Sequence, residues 1–134
     1  MQNISPTVKA NFINFVSYGN AVLNCSKELI IGLFPNNSYC EMRYYHQKDN
    51  VHEDVLEVRG DKGTLVCYFD EVGNCDVCYV HFDSIDEVGT YLELCNKLFE
   101  YCPNAKRWKL CSSFIMYFER EGDKYFGFFA NRLD

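Results

Sequence analysis

Apolar positions along the chain change period several times, and each change marks an element. Near the start, Val8, Phe12, Phe15, Val16, Gly19, Val22 and Leu23 recur at spacings of three and four, which lays one apolar stripe along a helix. Ser5 is placed to cap this helix, and Pro6 falls at the first helical position, where its missing N–H is harmless. Gly19-Asn20 interrupts the good helix formers, and the helix is expected to stop there.

The following runs read as strands. Residues 28–34 (ELIIGLF) and 39–45 (YCEMRYY) flank the turn cluster Pro35-Asn36-Asn37-Ser38 and are expected to form a hairpin. Residues 47–52 are polar and read as a loop, and 55–59 read as a third strand ending at Gly60-Asp61-Lys62-Gly63. A second hairpin is expected from 64–69 and 75–82 across Asp70-Glu71-Val72-Gly73-Asn74. Strict alternation in its second strand places Cys75, Val77, Tyr79 and His81 on one face and Asp76, Cys78, Val80 and Phe82 on the other.

The second helix opens on Ser84-Ile85-Asp86-Glu87, a capping box in which hydroxyl and carboxylate satisfy each other's free backbone donors. Val88, Tyr91, Leu92, Cys95, Leu98, Phe99 and Cys102 continue its stripe up to Pro103-Asn104, giving a helix over about 84–102. Residues 113–119 and 124–130 bracket Arg120-Glu121-Gly122-Asp123 as a third hairpin. No repeat, linker or low-complexity tract divides the chain, so residues 1–134 are expected to form a single domain. The pattern implies an α+β fold: an antiparallel sheet of about five to seven strands built from hairpins, with the N-terminal and second helices on one face.

Composition supports a packed core. Of 134 residues, 48% are hydrophobic and 16% aromatic, too rich for a disordered chain. No apolar run approaches the roughly 18 to 20 residues that cross a bilayer. The first residues lack a basic segment followed by an apolar run, so the expected location is cytoplasmic and the eight cysteines are expected to be reduced. Free cysteine packs as a small hydrophobe, which is the reading for most of them.

Candidate chemistry is sparse. Cys75-Asp76-Val77-Cys78 has the spacing of a zinc or redox pair, but a structural zinc site needs four ligands and no second C-x-x-C exists. A redox pair needs a helix N-terminus to depress its thiol pKa. This motif instead starts a strand between acids, expected to push the thiol up and to send its two side chains to opposite faces. It therefore reads as a structural pair. His46, His52 and His81 are scattered, and no nucleophile elbow, metalloprotease, phosphate-loop or dinucleotide motif is present. The expectation is a non-enzyme with no metal and no cofactor.

Charge is more informative. Between Gly63 and Asn96 the chain has Asp70, Glu71, Asp76, Asp83, Asp86, Glu87 and Glu93 and no Lys or Arg. That segment carries −7 against −6 for the whole chain, leaving +1 for the rest. Asp86 and Glu87 complement a helix dipole and Asp70-Glu71 sits at a turn, which accounts for part of the excess. The remainder suits a surface that steers a basic protein. It does not suit nucleic acid or anionic lipid, which are bound through basic patches. Asp70, Glu71, Asp76, Asp83, Asp86, Glu87 and Tyr79 are the candidate partner-binding residues. Tyr68, Tyr91 and Trp108 are further aromatic anchors of the kind that dominate interfaces.

Taken as a whole, this acidic, tyrosine-rich α+β chain without catalytic motifs resembles the immunity proteins of bacterial toxin systems, including those of contact-dependent growth inhibition. The resemblance lies in the profile of the entire chain and assigns no residue. It implies stoichiometric binding of one toxin domain, often a basic nuclease, whose active site is occluded. Two alternatives are a small-ligand-binding or enzymatic domain with an aromatic-lined pocket, and a zinc- or thiol-dependent protein built on Cys75 and Cys78.

Overall fold

The structure is a computed structural model and describes residues 5–60, 63–82, 85–111 and 113–131, with the side chains of 46, 51, 63 and 85–87 outside that set. The described residues form three helices, α1 (Pro6–Val22), α2 (Lys27–Leu33) and α3 (Ile85–Leu98). Eight strands accompany them: β1 (Ser38–His46), β2 (Val51–Gly60), β3 (Gly63–Phe69), β4 (Cys75–Phe82), β5 (Glu100–Cys102), β6 (Arg107–Lys109), β7 (Phe114–Glu121) and β8 (Lys124–Asn131). All belong to one sheet in the order β1-β2-β3-β4-β8-β7-β6-β5, and every pairing is antiparallel. Two four-stranded meanders therefore meet where β4 pairs with β8, and α3 carries the chain from one meander to the far edge of the other. The α+β class and the helix-on-one-face arrangement agree with the sequence pattern; the strand number, eight, is one above the expected range.

Helix α1 begins where expected, with Ser5 Oγ accepting from the Val8 N–H at 3.2 Å and Pro6 at the first position. It does not stop at Gly19-Asn20 but runs to Val22, because Gly19 is where the helix touches the sheet. A Cβ on Gly19 would fall inside the buried Phe129 ring, and one on Gly127 would lie 2.6 Å from Phe15 Cζ. The two glycines let α1 settle onto β8 with Phe15 among Phe129, Phe82, Tyr91 and Phe118, at centroid distances of 4.7, 5.2, 5.6 and 6.1 Å.

Residues 28–34 depart from the sequence reading: they form α2, not a hairpin strand. Ser26 caps this helix, accepting from the Leu29 N–H at 3.3 Å, and Glu28 sits in its first turn. Ile30 is fully buried, Ile31 and Phe34 are half-buried, and Leu29 and Leu33 remain exposed. That spacing is helical, and the β-branched Ile30-Ile31 pair disguises it as a strand. With α2 removed from the sheet, β1 pairs instead with β2 in an unbroken register from Ser38↔Arg59 to His46↔Val51.

A second departure lies after α3, which ends at Leu98 rather than near Cys102. Glu100–Cys102 forms a short strand against Arg107–Lys109, turned by Lys106 at φ 56°. Trp108 is thereby on a strand and buried, donating from Nε1 to Asn96 Oδ1 at 3.1 Å and meeting Phe118 edge-on at 5.9 Å. Of the capping box, Ser84 lies outside the described residues. No helix among the described residues is long and apolar enough to cross a membrane.

Gly19→Ala tests the close helix–sheet approach. Alanine gains about 1 kcal/mol of helix propensity over glycine, yet here the added methyl must displace a fully buried ring. We expect a net loss of about 1–3 kcal/mol in denaturant unfolding; a stabilised variant would show that α1 does not rest on Phe129.

Candidate functional site

All three helices bury residues in one cluster with Leu56, Val58, Leu65, Cys67, Cys78, Val80, Phe82, Met116 and Phe129. These sheet residues alternate along their strands and so project from one face. The opposite face receives no helix among the described residues. It nevertheless buries Val55, Val66 and Ile115, none of which belongs to the helix-covered cluster. An apolar layer therefore exists on the open face as well.

Register aligns that layer into rows. Val66 stands opposite Tyr79, Tyr79 opposite Phe128, and Phe128 opposite Tyr117. The Tyr79 centroid lies 6.0 Å from Tyr68, 5.0 Å from Phe128 and 5.4 Å from Phe126. Tyr117 and Phe128 stack with rings 2° from parallel at 4.9 Å. Burial pushes the Tyr79 hydroxyl well above the ordinary tyrosine range, with Tyr68 adding to the effect, and raises the Tyr117 hydroxyl as well.

Over this aromatic floor opens a cleft of about 700 Å³, lined by Tyr68, Tyr79, Phe126 and Phe128 and by Glu53, Asp76, Glu119 and Glu121. Arg120 also lines it, but its guanidinium donates to the Gly122 carbonyl at 2.6 Å and rests on the Tyr125 ring at 5.6 Å. The margins of the face carry cations, two of them opposite acids: register puts Arg59 there, Lys109 opposite Glu100 and Lys124 opposite Glu121, and Arg107 lies over the Tyr117 ring at 4.8 Å. On the same face Glu57, opposite Val66, and Glu100, opposite Lys109, add two acids outside the cleft. Burial raises the Asp76 carboxyl above its ordinary range, and Asp70 adds to the rise.

The seven sequence candidates separate in space. Asp76 and Tyr79 line the cleft together. Asp70 is occupied by its own turn, where Oδ1 accepts from the N–H groups of Val72, Gly73 and Asn74, each at 3.0 Å. Glu71 is exposed beside it. Asp86 and Glu87 belong to the first turn of α3, on the other side of the sheet, with side chains outside the described set; Asp83 lies outside the described residues altogether. Among the further anchors, Tyr68 lines the cleft, whereas Tyr91 and Trp108 are buried in the helix-covered core and present no surface for a partner.

Charge segregation along the chain overlooked Glu53, Glu119, Glu121, Phe126 and Phe128, which lie outside the acidic stretch. A signal was present in residues 124–130. Tyr125, Gly127 and Phe129 alternate with Phe126 and Phe128, so β8 is apolar on both faces and neither face can be an ordinary solvated one.

The Cys75-Asp76-Val77-Cys78 motif is also rearranged. Tyr68 pairs with Val77 but Phe69 pairs with Cys75, so Asp76 is an extra residue in a β-bulge. The bulge resets the alternation and buries Cys75 and Cys78 together, next to Cys67, instead of on opposite faces. Hydrogen bonds from the Cys67 and Cys78 thiols hold Cys75 below the ordinary thiol range, contrary to the sequence expectation, and push the two donors up. Backbone pairing pins the start of the bulge: the Asn24 N–H donates to Cys75 O at 2.7 Å and the Cys75 N–H to Cys25 O at 2.9 Å. Among the described residues no group of three or more His, Cys, Asp or Glu is placed to hold a metal ion.

Burial governs thiol reactivity here. Cys67, Cys75, Cys78 and Cys95 are fully buried, and burial pushes the Cys95 thiol up to about 12. With a thiol-reactive dye, exposed Cys111 is expected to react at once and these four only as the chain unfolds; immediate labelling of Cys75, read by mass spectrometry, would mean that the bulge opens in the native state. Comparison with protein-family models, with curated proteins and with solved structures finds no match to this chain.

Proposed function

We propose that this chain is a non-catalytic protein-binding domain of the immunity type, which binds and occludes a basic protein domain through the open face of its sheet. The observation that carries the reading is the cleft, where four carboxylates surround an aromatic floor that no helix among the described residues covers. Aromatic residues provide large contact areas at low entropic cost, and carboxylates around them attract and orient a cationic side chain. Tyr79, held among Tyr68, Phe126 and Phe128, is the central anchor, and Asp76 is the nearest acid on its strand. The acidic stretch of the sequence contributes these two residues, and Asp70 and Glu71 at the adjoining turn add to steering.

The test is calorimetric titration, with stopped-flow mixing for the rates, of the protein against basic toxin domains such as nucleases. We expect a 1:1 complex whose association slows steeply as salt is raised. Tyr79→Ala combined with Asp76→Lys should weaken it by about 100-fold or more. Unchanged affinity in that variant would remove the cleft from the interface.

The raised Asp76 pKa also sets a pH dependence. The free protein keeps its proton to higher pH than an ordinary aspartate, whereas a bound cation favours the carboxylate. Binding therefore releases a proton, and affinity should fall as pH is lowered through the raised Asp76 pKa. Asp76→Asn should flatten this profile; an identical profile in that variant would assign the dependence to another group.

The size of the cleft favours a second reading, since about 700 Å³ lies within the range of small-ligand sites. An aromatic floor with carboxylates fits an organic cation. Titration with tetramethylammonium under NMR separates the two readings: saturable shifts confined to Tyr79, Phe126 and Phe128 would support the small ligand, and their absence the protein partner.

A further inference from the structure

The sheet has two ends, and they are built differently. At one, β5 is a three-residue strand, short enough to offer little to another chain. At the other, β1 is nine residues long and contains no proline or lysine, and its register with β2 shows no bulge. From Ser38 to Tyr45 every residue is exposed except half-buried Met42; Tyr39, Tyr44 and Tyr45 are each about half exposed. No described element covers this edge. Natural sheets guard long edges with prolines, bulges, charged side chains or covering segments; of these β1 has only Glu41 and Arg43, whose charges are opposite.

We propose that β1 is a homodimer interface, in which two copies of the chain pair antiparallel, edge to edge, about a twofold axis at Met42. The sequence of β1, Ser-Tyr-Cys-Glu-Met-Arg-Tyr-Tyr-His, is self-complementary about its central residue. Pairing centred on Met42 uses all nine residues and sets Glu41 opposite Arg43 of the second copy, twice by symmetry. It also sets Tyr39 opposite Tyr45 on the same face, and Cys40 opposite Tyr44 on the other. Directly opposed residues of antiparallel strands share a face, so these are side-chain contacts of the kind that stabilise sheets. A twofold axis normal to the sheet keeps each side chain on its own face, which restricts the register to centres on a residue. Moving the centre to Glu41 sets Glu41 against itself, and moving it to Arg43 sets Arg43 against itself. The register that uses the full strand is therefore also the one that matches its charges.

Arg43 is prepared for this contact. Its Nε donates to Asp54 Oδ1 at 2.7 Å and its Nη2 to Asp54 Oδ2 at 3.4 Å, which fixes the guanidinium on the β1–β2 pair while leaving it largely exposed to a further carboxylate. In the dimer it lies between Asp54 of its own chain and Glu41 of the second. The interface is isologous and closes on itself, so pairing ends at two copies instead of growing into a fibre. It lies at the sheet edge, one strand beyond Glu53 of the cleft, and rests on pairing along β1, not on what the cleft binds.

Light-scattering mass measured on the full chain across a concentration series tests the proposal. The expected result is a dimer that dissociates on dilution. Arg43→Glu opposes two like-charged pairs and should raise the dimer dissociation constant by at least about tenfold. The double exchange E41R/R43E restores opposite charges in the same register and should restore the dimer. Met42→Cys should form an intermolecular disulfide on mild oxidation, because the two positions face each other across the axis. Circular dichroism on each variant verifies that the monomer is folded. A monomeric mass at every concentration overturns the proposal, as does a dimer indifferent to Arg43→Glu or one that the double exchange fails to recover.

Discussion

The packing of α1 onto the β4–β8 seam determines most of what else the molecule does. This seam joins two meanders that have no other direct pairing, and the residues that meet there come from opposite ends of the chain. Phe15 on α1 contacts Phe129 on β8, Phe82 on β4 and Phe118 on β7, so one side chain ties both meanders to the same helix. Gly19 and Gly127 permit the approach, since a methyl at either would strike a ring. Burying each of these aromatic side chains is worth about 1.5–3 kcal/mol, and their value as a group is that they hold β4 and β8 in register. Tyr91 from α3 joins the same group, at 5.2 Å from Phe12 and 5.5 Å from Phe82.

That register has a consequence on the other side of the sheet. Strands alternate, so fixing Phe82 and Phe129 under the helices also fixes Tyr79 opposite Phe128 on the open face. The cleft is built from the back of the same pairings that form the core. The bulge at Asp76 adds one further adjustment: it turns Cys75 and Cys78 inward together and leaves a carboxylate at the rim of the aromatic floor. Buried thiols and an acidic rim are two results of one extra residue.

Several elements were legible from local pattern alone. The Ser5-Pro6 start of α1, the 64–69/75–82 hairpin and the 113–119/124–130 hairpin follow from caps, turn residues and alternation, which act over a few residues. Two mistaken readings share a cause. Residues 28–34 and 99–102 are short apolar runs in which helical and extended spacing cannot be told apart, and tertiary placement decided between them. Ile30 finds the core as a helix residue, whereas residues 100–102 pair with a strand that begins after Pro103.

Sequence by itself determined the α+β class, the 64–69/75–82 and 113–119/124–130 hairpins, the aromatic supply of the core and the excess of acid in the middle of the chain, because each depends on composition or on neighbours within a few positions. It offered Asp76 and Tyr79 as candidates but could not set them beside Glu53, Glu119, Phe126 and Phe128, which are distant along the chain. Tertiary structure alone decided that the acidic stretch divides between the two sides of the sheet, that Asp70 is engaged by its own turn, and that Tyr91 is core rather than surface. The physical reason is register: which residues share a face and a row depends on long-range strand pairing and on a single bulge, and neither is visible in local periodicity.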